Sequence, residues 1–209
     1  MTPSAPSATK IMIIRHAEKP PDPPPTPPPA FAQFAPLPPY GVSSNGTQDA
    51  ESLVIQGWQR AGALVCLFDS ARRPLQDPNL ATPDFIYASK AVAHTDSDSL
   101  RPQETVTPLI NKLLNGNGVT VNFEFLKGEE PAAVASALTC KGVVLICWEH
   151  KNIHKIVDSI PVSLKDKESI PSKWPDRYDL VWIFDLDPGT GMYLFSQVAQ
   201  LLLAGDQPV

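Results

Sequence analysis

The chain has 209 residues, 43% of them hydrophobic and 19% charged. That length suits one sizeable α/β domain and argues against two. The net charge of −5 argues against general nucleic-acid binding, which needs a basic face, but leaves room for a small basic pocket.

Three cysteines, Cys66, Cys140 and Cys147, are an odd number without metal-ligand spacing. Cys66 and Cys147 sit in apolar runs and read as buried thiols, which suits a reducing compartment. Residues 1–9 are rich in Pro, Ser and Ala and read as a disordered lead without the apolar centre of a signal peptide. No apolar run approaches the length of a membrane span. The expectation is a soluble, cytoplasmic protein with no nucleic-acid partner and no membrane.

Lys10 to Ile14 reads as the first strand. A short continuous apolar run suits a strand covered on both faces, as in a parallel sheet. A low-complexity segment follows. From Pro20 to Pro39 it holds 11 of the 24 prolines, which bars helix or central strand there. It is expected to be a surface insertion at 20–40 within a single domain of residues 10–209. Phe31, Phe34 and Tyr40 offer it apolar anchors as a partial lid, and its PxxP patterns offer protein docking as an alternative. Asn45-Gly46 marks a turn.

Leu53 to Phe68 reads as a helix, with Trp58, Ala61, Leu64, Val65 and Phe68 on one face. Phe85 to Ala88 is a second short strand. Ser99 is placed to cap a helix running to about Leu114. Thr120 to Phe125 reads as a third strand, and Glu130 to Leu138 as a helix with Pro131 in its first turn. Gly142 to Trp148 is the most apolar strand and is expected near the centre. Asn152 to Ile160 reads as a helix, and Lys165 to Lys173 as a charged loop. Tyr178 to Phe184 and Met192 to Val198 flank Asp187-Pro-Gly-Thr-Gly191 as a late hairpin. Strand and helix otherwise alternate. That predicts a three-layer α/β/α sandwich with a mostly parallel sheet.

Three of the apolar strands end in reactive or cationic residues. The first ends in Arg15-His16, the second in Ser89-Lys90 with Arg101 after it, and the central one in His150. If these strands are parallel, two arginines and two histidines converge on one rim, where open α/β sheets bind ligands. Arginine offers phosphate a planar fork of donors, and histidine can act as nucleophile or proton carrier near neutral pH.

Four segments carry a resemblance to a known family. They are Arg15-His16-Ala17-Glu18, Leu53-Val-Ile-Gln-Gly57-Trp-Gln-Arg-Ala61, Tyr87-Ala-Ser89 with Ser99-Leu-Arg101-Pro-Gln-Glu-Thr105, and Val144-Leu-Ile-Cys-Trp-Glu-His150. In order and placement they resemble the motifs of the histidine phosphatase superfamily, the phosphoglycerate mutase-like clan. The respective patterns are Arg-His-Gly, Leu-Thr-x-x-Gly-x-x-Gln-Ala, Ser-x-x-x-Arg-x-x-x-Thr, and the strand ending in a second histidine. The resemblance covers about Lys10 to Ile160.

The resemblance implies a phosphoglycerate mutase-like fold and a phosphomonoester hydrolase. His16 would be the nucleophile that becomes a phosphohistidine, and Arg15, Arg101 and His150 would hold the phosphoryl oxygens. It implies no cofactor and no metal, and a small-molecule or peptide phosphomonoester as substrate. Glu129 and Glu130, after the third strand, are the candidates for the general acid. Glu149 is expected to point away from its neighbour His150 by strand alternation. His94 and His154 receive no role.

The chain departs from the family pattern in three places. Ala17 replaces glycine, Val54 replaces a hydroxyl residue, and Lys151 replaces the aspartate that follows the second histidine in one branch. Two alternatives stay open at this point: a phosphoglycerate-type mutase, and a weakly catalytic phospholigand- or protein-binding module on the same scaffold.

Overall fold

The computed structural model describes residues 8–21, 40–70, 74–116 and 118–209. Most of the expected lead, residues 1–7, and most of the proline-rich insertion, residues 22–39, lie outside the described residues.

The chain runs β1 (Ala8–Arg15), α1 (Ile55–Phe68), β2 (Phe85–Ala88), α2 (Arg101–Leu114), β3 (Thr120–Asn122), α3 (Glu130–Leu138), β4 (Gly142–Trp148), α4 (Ile153–Ser159), α5 (Leu164–Lys167), β5 (Leu180–Asp187) and β6 (Met192–Ala199). All six strands join one sheet in the order β3-β2-β4-β1-β5-β6. β1 to β4 are mutually parallel, while β5 runs antiparallel to β1 and β6 antiparallel to β5. The apolar run of β1 divides between two cores by alternation. Met12 and Ile14 pack with Leu64, Leu67 and Phe68 of α1 and with Val106, Leu109 and Leu113 of α2. Ile11 and Ile13 face the other side, towards Val134 and Ala137 of α3 and Ile153 and Ile156 of α4. The result is the expected three-layer α/β/α sandwich with a mostly parallel sheet, and β4 and β1 lie at its centre. Among the described residues no helix is long and apolar enough to cross a membrane.

Several boundaries differ from expectation, each for a local reason. β1 starts at Ala8, which pairs with Gly142 across an irregularity and whose carbonyl accepts from the Tyr193 hydroxyl at 2.6 Å. Ser99 does not cap α2. Leu100 holds the cap position and the Ser99 hydroxyl accepts from Arg101 instead. β3 ends at Asn122, whose side chain turns back to the Glu124 N–H. A 3₁₀ turn, His150–Asn152, precedes α4, and the charged loop contains α5, capped by Ser163. Cys66 is exposed rather than buried, because it falls between the inward-facing Leu64 and Leu67 on α1.

One contact sets the site's position. The amino end of α1 presses against the chain just after β1. Val54 N–H donates to the Glu18 carbonyl at 3.1 Å, and a Cβ on Gly57 would lie 2.6 Å from that same oxygen. Only glycine lets the helix come this close. Gly57→Ala is therefore expected to destabilise the fold by about 1–3 kcal/mol through overpacking. Urea denaturation of the two proteins checks this, and equal midpoints would show that the contact yields freely.

Candidate active site

The carboxyl ends of the parallel strands surround a cavity of about 140 Å³. His16 enters it from β1, Ser89 and Lys90 from β2, Arg101 from the start of α2, and Glu149 and His150 from β4. The convergence expected from the strand ends is therefore present for His16, Arg101 and His150.

His16 is the most constrained of these. Its backbone N–H extends the parallel ladder to the Trp148 carbonyl at 3.1 Å. The residue is 2% exposed. Nδ1 lies 2.7 Å from the carbonyl oxygen of Ala17. A carbonyl only accepts, so Nδ1 carries the hydrogen and Nε2 keeps its lone pair. Burial pulls the imidazole pKa down to about 3. The Ala17 carbonyl opposes this, while the charges of Arg15 and Arg101 reinforce it. At neutral pH the ring is uncharged. His150 stands with its ring centre 6.4 Å away, nearly perpendicular. Burial and then Arg15 lower its pKa to about 4. Its Nδ1 is buried and makes no hydrogen bond among the described residues.

The two arginines are placed differently. Arg101 lines the cavity with its guanidinium anchored to the 50–52 loop, through the Ala50 carbonyl at 2.5 Å and Glu51 at 3.2 Å. Arg15 is not among the lining residues. Its guanidinium carbon sits 3.9 Å from the centre of the Tyr178 ring, a cation–π contact. Nη1 reaches Asp176 at 3.2 Å and the Arg177 carbonyl at 3.5 Å. The Asp176 side chain is 99% exposed, so water screens that pair and it holds Arg15 weakly. The Arg15 Nε is buried without a hydrogen-bond partner among the described residues.

Neither candidate for the general acid reaches the cavity. Glu129 is exposed and accepts from the Leu126 N–H at 2.8 Å. Glu130 is fully buried and accepts from the Trp148 indole at 3.0 Å and the Gly128 N–H at 2.9 Å. It braces the end of β4. Glu149, expected to point away, instead lines the cavity and pairs with Lys127 at 3.4 Å. Strand alternation ends at Trp148, and the 3₁₀ turn starting at His150 redirects the chain. His94, at positive φ, and His154 lie outside the cavity.

Ala17 needs no positive φ. It is buried against Leu53 and Ala61, and its N–H donates to the Thr105 hydroxyl at 2.8 Å. The same hydroxyl donates to the Arg101 carbonyl at 2.7 Å. Val54, at the cap of α1, makes no side-chain cap bond. Tyr178, 6.1 Å from the His16 ring, was not legible in the sequence. Only the antiparallel register of β5 against β1 brings it to this rim.

No family model matches the chain, and no curated protein matches it in sequence. In structure, the chain is similar to one described as "the putative phosphohistidine phosphatase SixA from Agrobacterium tumefaciens", at 13% identity and a TM-score of 0.46, over 91% of this chain and 97% of that one.

Proposed function

We propose that the protein is a metal-independent phosphomonoester hydrolase that works through a phosphohistidine on His16. One observation carries this reading: His16 is neutral and fixed in one tautomer, with the Nε2 lone pair available beside Arg101 and His150. An imidazole held in that state needs no base to activate it. Nε2 attacks phosphorus as the P–O bond to the leaving group breaks, and the departing oxygen keeps the electron pair and takes a proton from water. Water then attacks the phosphohistidine, the P–N bond breaks, and orthophosphate leaves.

Arg101 donates to the phosphoryl oxygens as charge shifts between them. Arg15 adds positive charge from beside the ring of Tyr178. The small cavity takes the phosphoryl group, and the organic part of the substrate lies at its mouth among Lys19, Lys127 and Lys151. Glu129 and Glu130, the general-acid candidates, do not line the cavity, so the proton for the departing oxygen is assigned to water.

His16→Asn is expected to abolish phosphate release and to abolish the acid-labile phosphoryl label that the wild-type protein retains on quenching. A variant with substantial turnover would rule out the covalent route. Arg101→Lys keeps the charge but loses the fork. It is expected to cost about 2–4 kcal/mol of transition-state stabilisation in kcat/KM. Kinetics matching wild type would place Arg101 outside the reaction. Chelator is expected to leave the rate unchanged, since the arginines supply the positive charge, and loss restored by a divalent ion would contradict this.

Stability should also report the state of His16. Its pKa is about 3 in the folded chain against an ordinary 6.5, so the unfolded chain binds the proton first. The stabilisation is complete above about pH 6.5 and is lost as pH falls towards 3. The lowered carboxyls Asp179 and Asp206 act only below about 3.8. Thermal melts of wild type and His16→Gln from pH 7 to 4 should show a shallower acid decline in the variant. Parallel declines would mean that the folded imidazole titrates normally.

A further inference from the structure

Arg60 of α1 is 3% exposed and lies outside the cavity. A buried guanidinium persists only when it is paired. Nε and Nη2 donate to Glu18 Oε1 at 3.0 and 2.7 Å. Nη1 and Nη2 donate to the two oxygens of Asp206 at 3.0 and 2.8 Å. Nη1 also donates to Gln200 Oε1 at 3.1 Å. All five N–H groups of the fork are engaged within the protein, which leaves none for a substrate.

Both ends of this hub lead to His16. Glu18 N–H and the Ala17 carbonyl belong to one planar peptide unit. The Ala17 carbonyl is the group that takes the His16 Nδ1 hydrogen. Whatever holds Glu18 therefore orients the acceptor that fixes the ring. On the other side, Gln200 Nε2 donates to the carbonyls of Tyr178 and Leu180 at 3.2 and 3.1 Å. Tyr178 places its ring against Arg15 and near His16. Asp206 also accepts from the Leu202 and Leu203 N–H groups at 2.7 and 3.1 Å, so it closes the C-terminal turn onto Arg60.

We propose that Arg60 is a positioning residue for His16: it fixes the Ala17–Glu18 peptide plane and makes residues 200–206 part of the framework of the site. This rests on the reading of His16 as the reacting group, but its test does not depend on turnover. Arg60→Gln and Asp206→Asn are made in the full chain, with ¹⁵N-labelled histidine. Only four histidines are present, so the His16 imidazole can be followed by NMR through a pH titration.

In wild type, the His16 imidazole should stay neutral in the Nδ1–H tautomer down to about pH 4, given its lowered pKa. In both variants a second, Nε2–H tautomer should appear, because the Ala17 carbonyl no longer holds the Nδ1 hydrogen in place; the titration should not rise, since that carbonyl is the contact that raises the pKa. The groups facing the ring, Arg15, Arg101, His150 and Tyr178, are unchanged in all of them. In parallel, kcat on an aryl phosphate should fall on the order of 10- to 100-fold, with KM little altered. Asp206→Glu, which retains the carboxylate, should restore the single tautomer.

A single Nδ1–H tautomer of His16 in the folded variants, as in wild type, overturns the proposal, whatever their rates. If Arg60→Gln does not fold, Asp206→Asn decides alone, since it leaves the guanidinium paired with Glu18. If wild type releases no phosphate from any ester yet the second tautomer appears in the variants, the phosphatase reading fails and the positioning role stands.

Discussion

The site depends on one short hydrogen bond, from His16 Nδ1 to the carbonyl of its own neighbour Ala17. A buried histidine costs free energy if charged and wastes a donor if left unpaired. The carbonyl resolves both problems. It satisfies the one N–H of the neutral ring and leaves the opposite nitrogen as a lone pair. That bond works only if the carbonyl cannot rotate. The surrounding structure holds it from several directions: Thr105 through the Ala17 N–H, Val54 through the Glu18 carbonyl, Gly57 by close approach, and Arg60 through the Glu18 carboxylate.

Thr105 shows how the two halves of the cavity stay in register. Its hydroxyl accepts from Ala17 and donates to the Arg101 carbonyl one helical turn back. The loop that carries His16 and the helix that carries Arg101 therefore share one atom as a pivot. Glu104, beside it, binds the Ser52 hydroxyl and the Leu53 N–H, both at 2.8 Å. That fixes the 50–52 loop on which Arg101 rests. The spacing Arg101-x-x-x-Thr105 is thus a geometric requirement, because four residues put both groups on one face of a helix.

The parts of this that were legible in the sequence were those set by local pattern. Apolar runs ending in Arg15-His16, Ser89-Lys90 and His150 gave the strands, and parallel pairing then put their ends on one rim. Glu129 and Glu130 misled because position after a strand does not say which way a carboxylate turns, and here the Trp148 indole draws Glu130 inward. Glu149 misled because alternation was extended past the last paired residue. Cys66 was placed inside by its apolar neighbours, although helical spacing turned it out. Tyr178, Asp206 and Gln200 carried no local signal. Their roles come from contacts across long stretches of chain, 140 residues in the case of Arg60 and Gln200.

Topology explains why the chain's end should matter to a site built at its beginning. Four parallel strands put their carboxyl ends on one rim. β5 reverses that direction, so the residues entering it, Tyr178 and Asp179, arrive at the same rim where β1 leaves. β6 reverses again, pairing Leu180 with Ala199, and its exit delivers Gln200 there as well. The antiparallel pair thus returns the C-terminal residues to the neighbourhood of His16. A site on a purely parallel sheet would be supported only by the loops that follow its strands, whereas here a fixed hairpin backs one wall. Arg60 can bridge Glu18 and Asp206 because this reversal brings a carboxylate from near each end of the chain to within hydrogen-bonding distance of one guanidinium. The guanidinium in turn holds both carboxylates in place, and the pairing that its burial requires becomes a constraint on the peptide next to His16.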